Sequence, residues 1–161
     1  MSDNEEYDLL DYARAGERAP FEQLFSRPEG VKEFLAIKDE FTEATPLHMA
    51  AANGHSELLA YFISQIKDPE VRKEAVNATN DSGNTPMHWA ALTGSLDSVK
   101  MLHEAGADPL KKNKTGIDPC YQADCAGQDE VANYLYSIAD VDHEQGDGQQ
   151  GDGEGDDGQA S

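Results

Sequence analysis

The chain has 161 residues and a mass of 17.5 kDa, the size of one domain with room for a tail. Its 32 acids against 12 bases leave a formal charge of −20, which repels phosphate backbones, argues against direct nucleic-acid binding and favours a basic partner. No apolar run approaches the roughly 18 residues that span a bilayer, so no membrane role is expected.

No secretory leader is legible at the start of the sequence. Cys120 and Cys125 are too few for a disulfide framework or a zinc site. A reducing cytosolic or nuclear setting fits best.

The first segment, 7–41, carries Leu9, Leu10, Ala13, Gly16, Phe21, Leu24 and Phe25. The spacing predicts two helices, with an extra turn or short helix around Val31–Ile37. Two similar runs follow. Thr45-Pro46-Leu47-His48-Met49-Ala50-Ala51 is matched by Thr85-Pro86-Met87-His88-Trp89-Ala90-Ala91. A weaker copy, Asp118-Pro119-Cys120-Tyr121-Gln122-Ala123-Asp124, lies 33 residues further on. A 33-residue period with T-P-L-H-x-A is the ankyrin signature. The wider gap between the first two runs places seven extra residues within Ile63–Asn80.

Each motif position has a task. Thr45 and Thr85, and Asp118 in the last copy, are expected to cap a helix by accepting a bond from the backbone three residues on. The proline behind each takes the first helical position, where no N–H is needed. The paired alanines let neighbouring helices approach closely. Leu58, Leu59 and Phe62, then Val99 and Leu102, then Val131 and Leu135 mark the second helix of each unit.

The expected fold is all-α: an ankyrin solenoid over 1–140 with units of about 7–42, 43–82, 83–115 and 116–140. The stretch 140–161 has eight acids, six glycines and no Lys or Arg. It cannot bury enough surface to offset its ordering entropy, so 141–161 is read as a disordered acidic tail.

The strings TPLHMAAANGH (45–55), GNTPMHWAALTGSLDSVKML (83–102) and VNATNDSGNT (76–85) narrow the match. With the insertion, the repeat count and the acidic tail, the chain resembles the fungal ankyrin-repeat chaperones of newly made small-subunit ribosomal protein number three, a KH-domain protein. The resemblance covers about 7–140. In the tail, acidity and position alone match.

The resemblance implies a dedicated escort without enzyme activity. It implies a one-to-one complex that shields the client's basic N-terminal region and accompanies it to the nucleus for 40S assembly. Cytoplasmic and nuclear localisation follows from it. A generic ankyrin adaptor, and a chaperone of another basic protein such as a histone, are the alternatives.

The repeat register places a set of residues on the concave surface. They are Glu40, Phe41, Thr42, Ala44, Ala52 and Asn53; then Asp81, Ser82, Asn84, Leu92 and Thr93; then Lys114, Thr115, Ile117, Cys125 and Ala126. Glu43 and Asp124 flank them, and Trp89 is expected to be partly buried with an edge at the partner. Acids, amides and a few apolar groups in one groove suit a basic amphipathic helix.

Catalytic, cofactor and metal sites are not expected. His48 and His88 read as structural hydrogen-bonding residues on different helices. Cys120 and Cys125 read as core-facing and groove-facing thiols. The acidic run Asp152, Glu154, Asp156 lacks the glycine and final glutamate of a calcium loop.

Overall fold

The computed structural model describes residues 3–146 and is built from α-helices. In chain order they are α1 (Asp3–Ala15), α2 (Ala19–Phe25), α3 (Gly30–Ala36), α4 (Pro46–Ala52), α5 (Ser56–Gln65), α6 (Pro69–Val76), α7 (Pro86–Thr93), α8 (Leu96–Glu104), α9 (Pro119–Cys125) and α10 (Asp129–Gly146).

The helices stack in two rows. The inner row is α1, α4, α7 and α9, each packed on the next. The outer row is α2, α5, α8 and α10; α8 packs on both α5 and α10, while rings of α2 meet rings of α5. Alanine makes the inner row possible. Ala50, Ala51, Ala90, Ala91 and Ala123 are fully buried, so the helices meet almost backbone to backbone.

The two extra helices both lie between an outer helix and the turn that follows it. Helix α3 fulfils the expectation of a short helix near Val31–Ile37. Helix α6 takes up the seven-residue insertion and buries Ala75 and Val76. Its start is set by Asp68, whose carboxylate accepts the Glu70 N–H, and by Pro69 behind it. Phe34 of α3 reaches an aromatic cluster. Its ring lies 6.0 Å from Phe21 and 4.8 Å from Phe62, and Phe21 lies 4.6 Å from Phe62. The two edge-on pairs, Phe21 with Phe34 and Phe21 with Phe62, add about 0.5–1.5 kcal/mol each beyond their burial.

At the C-terminal end, α10 runs on through Gly146. Residues 141–146, read from composition as tail, are therefore helical. Extending a helix that is already nucleated costs little. The rest of the segment read as tail, 147–161, lies outside the described residues.

The threonines cap as the motif predicts. Thr45 Oγ1 accepts the His48 N–H, and the Thr45 N–H donates back to His48 Nδ1 at 3.1 Å. Thr85 and His88 repeat the arrangement, with 3.0 Å for the return bond. This is a capping box with histidine in the third position. Because Nδ1 accepts, the proton sits on Nε2. That group then donates to the next unit: His48 to the Asn84 carbonyl and His88 to the Ile117 carbonyl, both at 2.8 Å. Asp118 caps α9 through the Tyr121 N–H.

Between units the chain forms three projecting tips. Each is pinned at its base by one side-chain oxygen. Asp39 Oδ1 accepts from the N–H groups of Phe41 and Thr42. Asn80 Oδ1 accepts from Ser82 and Asn84, and Asn113 Oδ1 from Thr115 and Ile117. Burial works against the charge of Asp39, and the bonds from Thr42 and Phe41 outweigh it, holding the carboxyl below its usual range. Backbone bonds join the tips: Asp81 N–H to the Thr42 carbonyl at 2.8 Å, and Lys114 N–H to the Ser82 carbonyl at 3.1 Å.

The first tip contains the one left-handed non-glycine residue among those described, Glu43, at φ 63°. It stands two residues before Thr45. Gly83 and Gly116 hold the same place before Thr85 and Asp118, at φ 79° and 83°. A side chain in this region costs roughly 1–2 kcal/mol. Part of that is returned by the lower unfolded-state entropy of a non-glycine residue. Glu43→Gly is therefore expected to stabilise the fold by about 0.5–1 kcal/mol and to raise Tm by about 2–4 °C, measured by calorimetry.

His48 gives a pH prediction. Burial lowers its pKa to about 4, against the bond to Asn84, with a further push from His88. The folded value lies below the unfolded one, near 6.5. The neutral ring therefore contributes stability that is complete above pH 6.5 and is lost as pH falls towards 4. The loss is on the order of 3 kcal/mol, or about 10 °C in Tm. NMR titration should place the His48 imidazole midpoint near 4, and a midpoint near 6.5 would contradict the assigned role.

Candidate functional site: the tips and the concave face

The concave face is assembled from the tips and from the exposed side of α4, α7 and α9. The first tip presents Glu40, Phe41 and Glu43, all exposed. Phe41 is 72 % exposed, more than any other large apolar residue described. Its main chain is fixed by Asp39, so the ring is displayed from a rigid turn. The second tip presents Asp81 and Ser82, both exposed. Asn84 is half-buried behind them, where its carbonyl takes the His48 bond and its Oδ1 accepts from Asn113 Nδ2 at 2.8 Å. Asn84 is thus a junction between units as much as a surface group.

On the inner helices, Leu92 is 48 % exposed near the end of α7. Asn53 ends α4, exposed, and donates to the Met49 carbonyl. Ile117 is half-buried at the base of the third tip. Trp89 is half-buried, edge-on to His48 with centroids 5.1 Å apart. The partial burial expected for it is what the structure shows, and it is held chiefly by its own fold.

Two placements differ from the sequence reading. Ala44 is fully buried, because its carbonyl closes the first tip by accepting from the Asp39 N–H at 2.8 Å. Asp124 does not flank the groove. It occupies the position of Ala51 and Ala91, which are buried between successive units, so it faces the C-terminal end of the stack. The tips are also not uniformly acidic. Glu40, Glu43 and Asp81 crowd the first two, whereas the third carries exposed Lys112 and Lys114.

The thiols fall as expected: Cys120 is buried and Cys125 exposed. Burial pushes His88 down in pKa as it does His48, with the Ile117 bond and the Asp118 charge opposing it. Both rings are neutral hydrogen-bonding struts. Among the described residues, no group of three His, Cys, Asp or Glu side chains is arranged to hold a metal, and no helix is long and apolar enough to cross a membrane.

The residues overlooked in the sequence are Asp39, Asn80 and Asn113. For Asn80 and Asn113 the signal was present, since a glycine follows each by three positions, whereas Asp39 precedes Glu43, whose left-handed backbone the sequence does not announce. Asn and Asp at that place bond their own backbone two residues on. They set the shape of the tips from buried or half-buried positions.

What this surface belongs to is given by comparison with known proteins. The model of ankyrin repeats in three copies matches residues 21–113. Ankyrin repeat-containing protein YAR1 of Saccharomyces cerevisiae is 38 % identical over 148 residues, covering 88 % of this chain and 74 % of that protein. An ankyrin repeat-containing protein of Schizosaccharomyces pombe is 36 % identical over 124 residues, covering 77 % of this chain and 79 % of its own. In the crystal structure of the yeast ribosomal protein Rps3 in complex with its chaperone Yar1, one chain superposes with a TM-score of 0.83 at 33 % identity. The match spans 94 % of this chain and 99 % of that one. With a superposition of this extent and this level of identity, the chain belongs to the ankyrin-repeat proteins and, within them, to the family of yeast Yar1.

Proposed function

We propose that this protein is a dedicated chaperone of the small-subunit ribosomal protein S3, forming a one-to-one complex that keeps its basic client soluble until assembly. The observation that carries this reading is the match along nearly the whole chain to a structure of Rps3 with its chaperone Yar1. The charge of the chain supports it independently. A net −20 is of no help to a neutral or acidic client and attracts a basic one.

The geometry suggests how the client is held. Phe41 and Leu92 offer exposed apolar anchors, and Glu40, Glu43 and Asp81 offer carboxylates on rigid tips. A basic amphipathic helix, such as one in the client's N-terminal region, meets both requirements. Apolar contacts would supply affinity, and the acids would speed encounter and exclude acidic competitors. Ankyrin-repeat proteins of this kind act by binding, and the proposed role needs no catalysis and no cofactor. Delivery of the client to the nucleus, and hence residence in both cytoplasm and nucleus, belongs to the same proposal.

The test is titration of purified ribosomal protein S3 into the full chain by calorimetry. A 1:1 stoichiometry is expected at low salt. Affinity should fall by an order of magnitude or more as ionic strength rises into the range where the Debye length drops below about 8 Å. Asp81→Lys should weaken binding about tenfold, and Leu92→Ala about three- to tenfold, with the fold intact by circular dichroism. Binding that ignores both salt and Asp81→Lys would reject the acidic groove.

A further inference from the structure

We infer that the C-terminal end of the stack is a second contact surface for the basic client, built to take an arginine side chain between Tyr121, Asp124 and Tyr136. This rests on the chaperone reading and deepens it.

The internal repeat identifies the surface. In the third unit the side that meets the fourth is made by His88, Ala91 and His103. His88 bonds the Ile117 carbonyl, Ala91 is fully buried, and the His103 ring lies edge-on to Tyr134 at 6.3 Å. One period of 33 residues later the same positions hold Tyr121, Asp124 and Tyr136. Among the described residues no fifth unit covers them. Tyr121 is 53 % exposed and Tyr136 is 41 % exposed, and Asp124 is exposed with them.

The end of a solenoid ordinarily needs a polar outer face for solubility. Here two exposed tyrosines share the end face with an exposed carboxylate. Tyr136 Oη donates to Asp124 Oδ2 at 3.3 Å, which orients the carboxylate and leaves most of its acceptor sites for a partner. Tyr121 lies one helical turn before Asp124 on α9, with the Cys125 sulfur beside its hydroxyl. Burial, reinforced by Asp124, pushes the Tyr136 phenol up to about 12, so it stays a donor throughout the physiological range.

This combination suits a guanidinium. The group is planar, stacks on tyrosine and forks onto a carboxylate, none of which an ammonium does as well. The other occupants are disfavoured by charge. Residues 147–161 are acidic without a single base and would be repelled by Asp124. Two copies meeting end to end would oppose one Asp124 to the other.

The test uses ribosomal protein S3 at low salt, with the full chain as Tyr121→Ala, Asp124→Lys and, as a remote charge reversal, Glu74→Lys on α6. Tyr121→Ala should weaken binding about two- to fivefold, and Asp124→Lys about tenfold. Glu74→Lys should change it less than twofold. Equal losses for the two reversals would reduce the effect to net charge and overturn the inference. So would wild-type affinity for Tyr121→Ala and Asp124→Lys, while leaving the chaperone reading standing. No binding by the wild type would remove both.

A second arm needs no client. A hexa-arginine peptide should shift the backbone NMR signals of Tyr121 and Asp124 more than hexa-lysine does. Equal responses, no response, or self-association abolished by Asp124→Lys would each contradict an arginine seat.

Discussion

The bond from a neutral histidine to the carbonyl of the next tip fixes the rest of this molecule. His48 and His88 each take a proton-free Nδ1 into the cap of their own helix and spend Nε2–H on the following unit. One ring therefore sets a helix start, the distance between inner helices and the height of the next tip. The requirement is strict because both rings are buried, and leaving either Nε2–H unpaired would cost about 1–3 kcal/mol. A charged ring satisfies only one side of the arrangement. The same bonds hold the tips in line, so the concave face inherits its precision from two buried imidazoles.

The two extra helices show how insertions are tolerated around that constraint. Both α3 and α6 leave the outer row and return before the next tip. Neither interrupts the inner row. Length can be added there because the repeat is defined by contacts between units, and the outer connection only has to close. Helix α3 turns this freedom into core, since Phe34 joins Phe21 and Phe62.

Most of the scaffold was legible in the sequence, because an ankyrin unit writes its caps, its first turn and its close packing in adjacent residues. Thr45, Pro46 and His48 announce a helix start without any knowledge of the fold. The short helix near Val31 was legible from apolar spacing alone. What escaped depends on neighbours in space. That Asp124 faces the end of the stack follows only from what covers Ala51 and Ala91. That Ala44 is buried follows from the closure of the first tip. The helical continuation to Gly146 was hidden by a composition that reads as tail, since propagation from α10 is not a property of residues 141–146 themselves.

The distribution of charge has a consequence that net charge conceals. Packed helices sit about 8–10 Å apart, close to the Debye length of about 8 Å at physiological salt. Neighbouring tips are thus partly screened from one another. Long-range attraction is governed by the whole −20 and says little about fit. At contact, acids crowd the first two tips, Lys112 and Lys114 occupy the third, and Asp124 lies beyond at the end of the stack. A segment that is uniformly basic would be drawn in and then meet two lysines. A segment with basic residues at both ends and a neutral or acidic stretch between them would meet a complementary surface throughout.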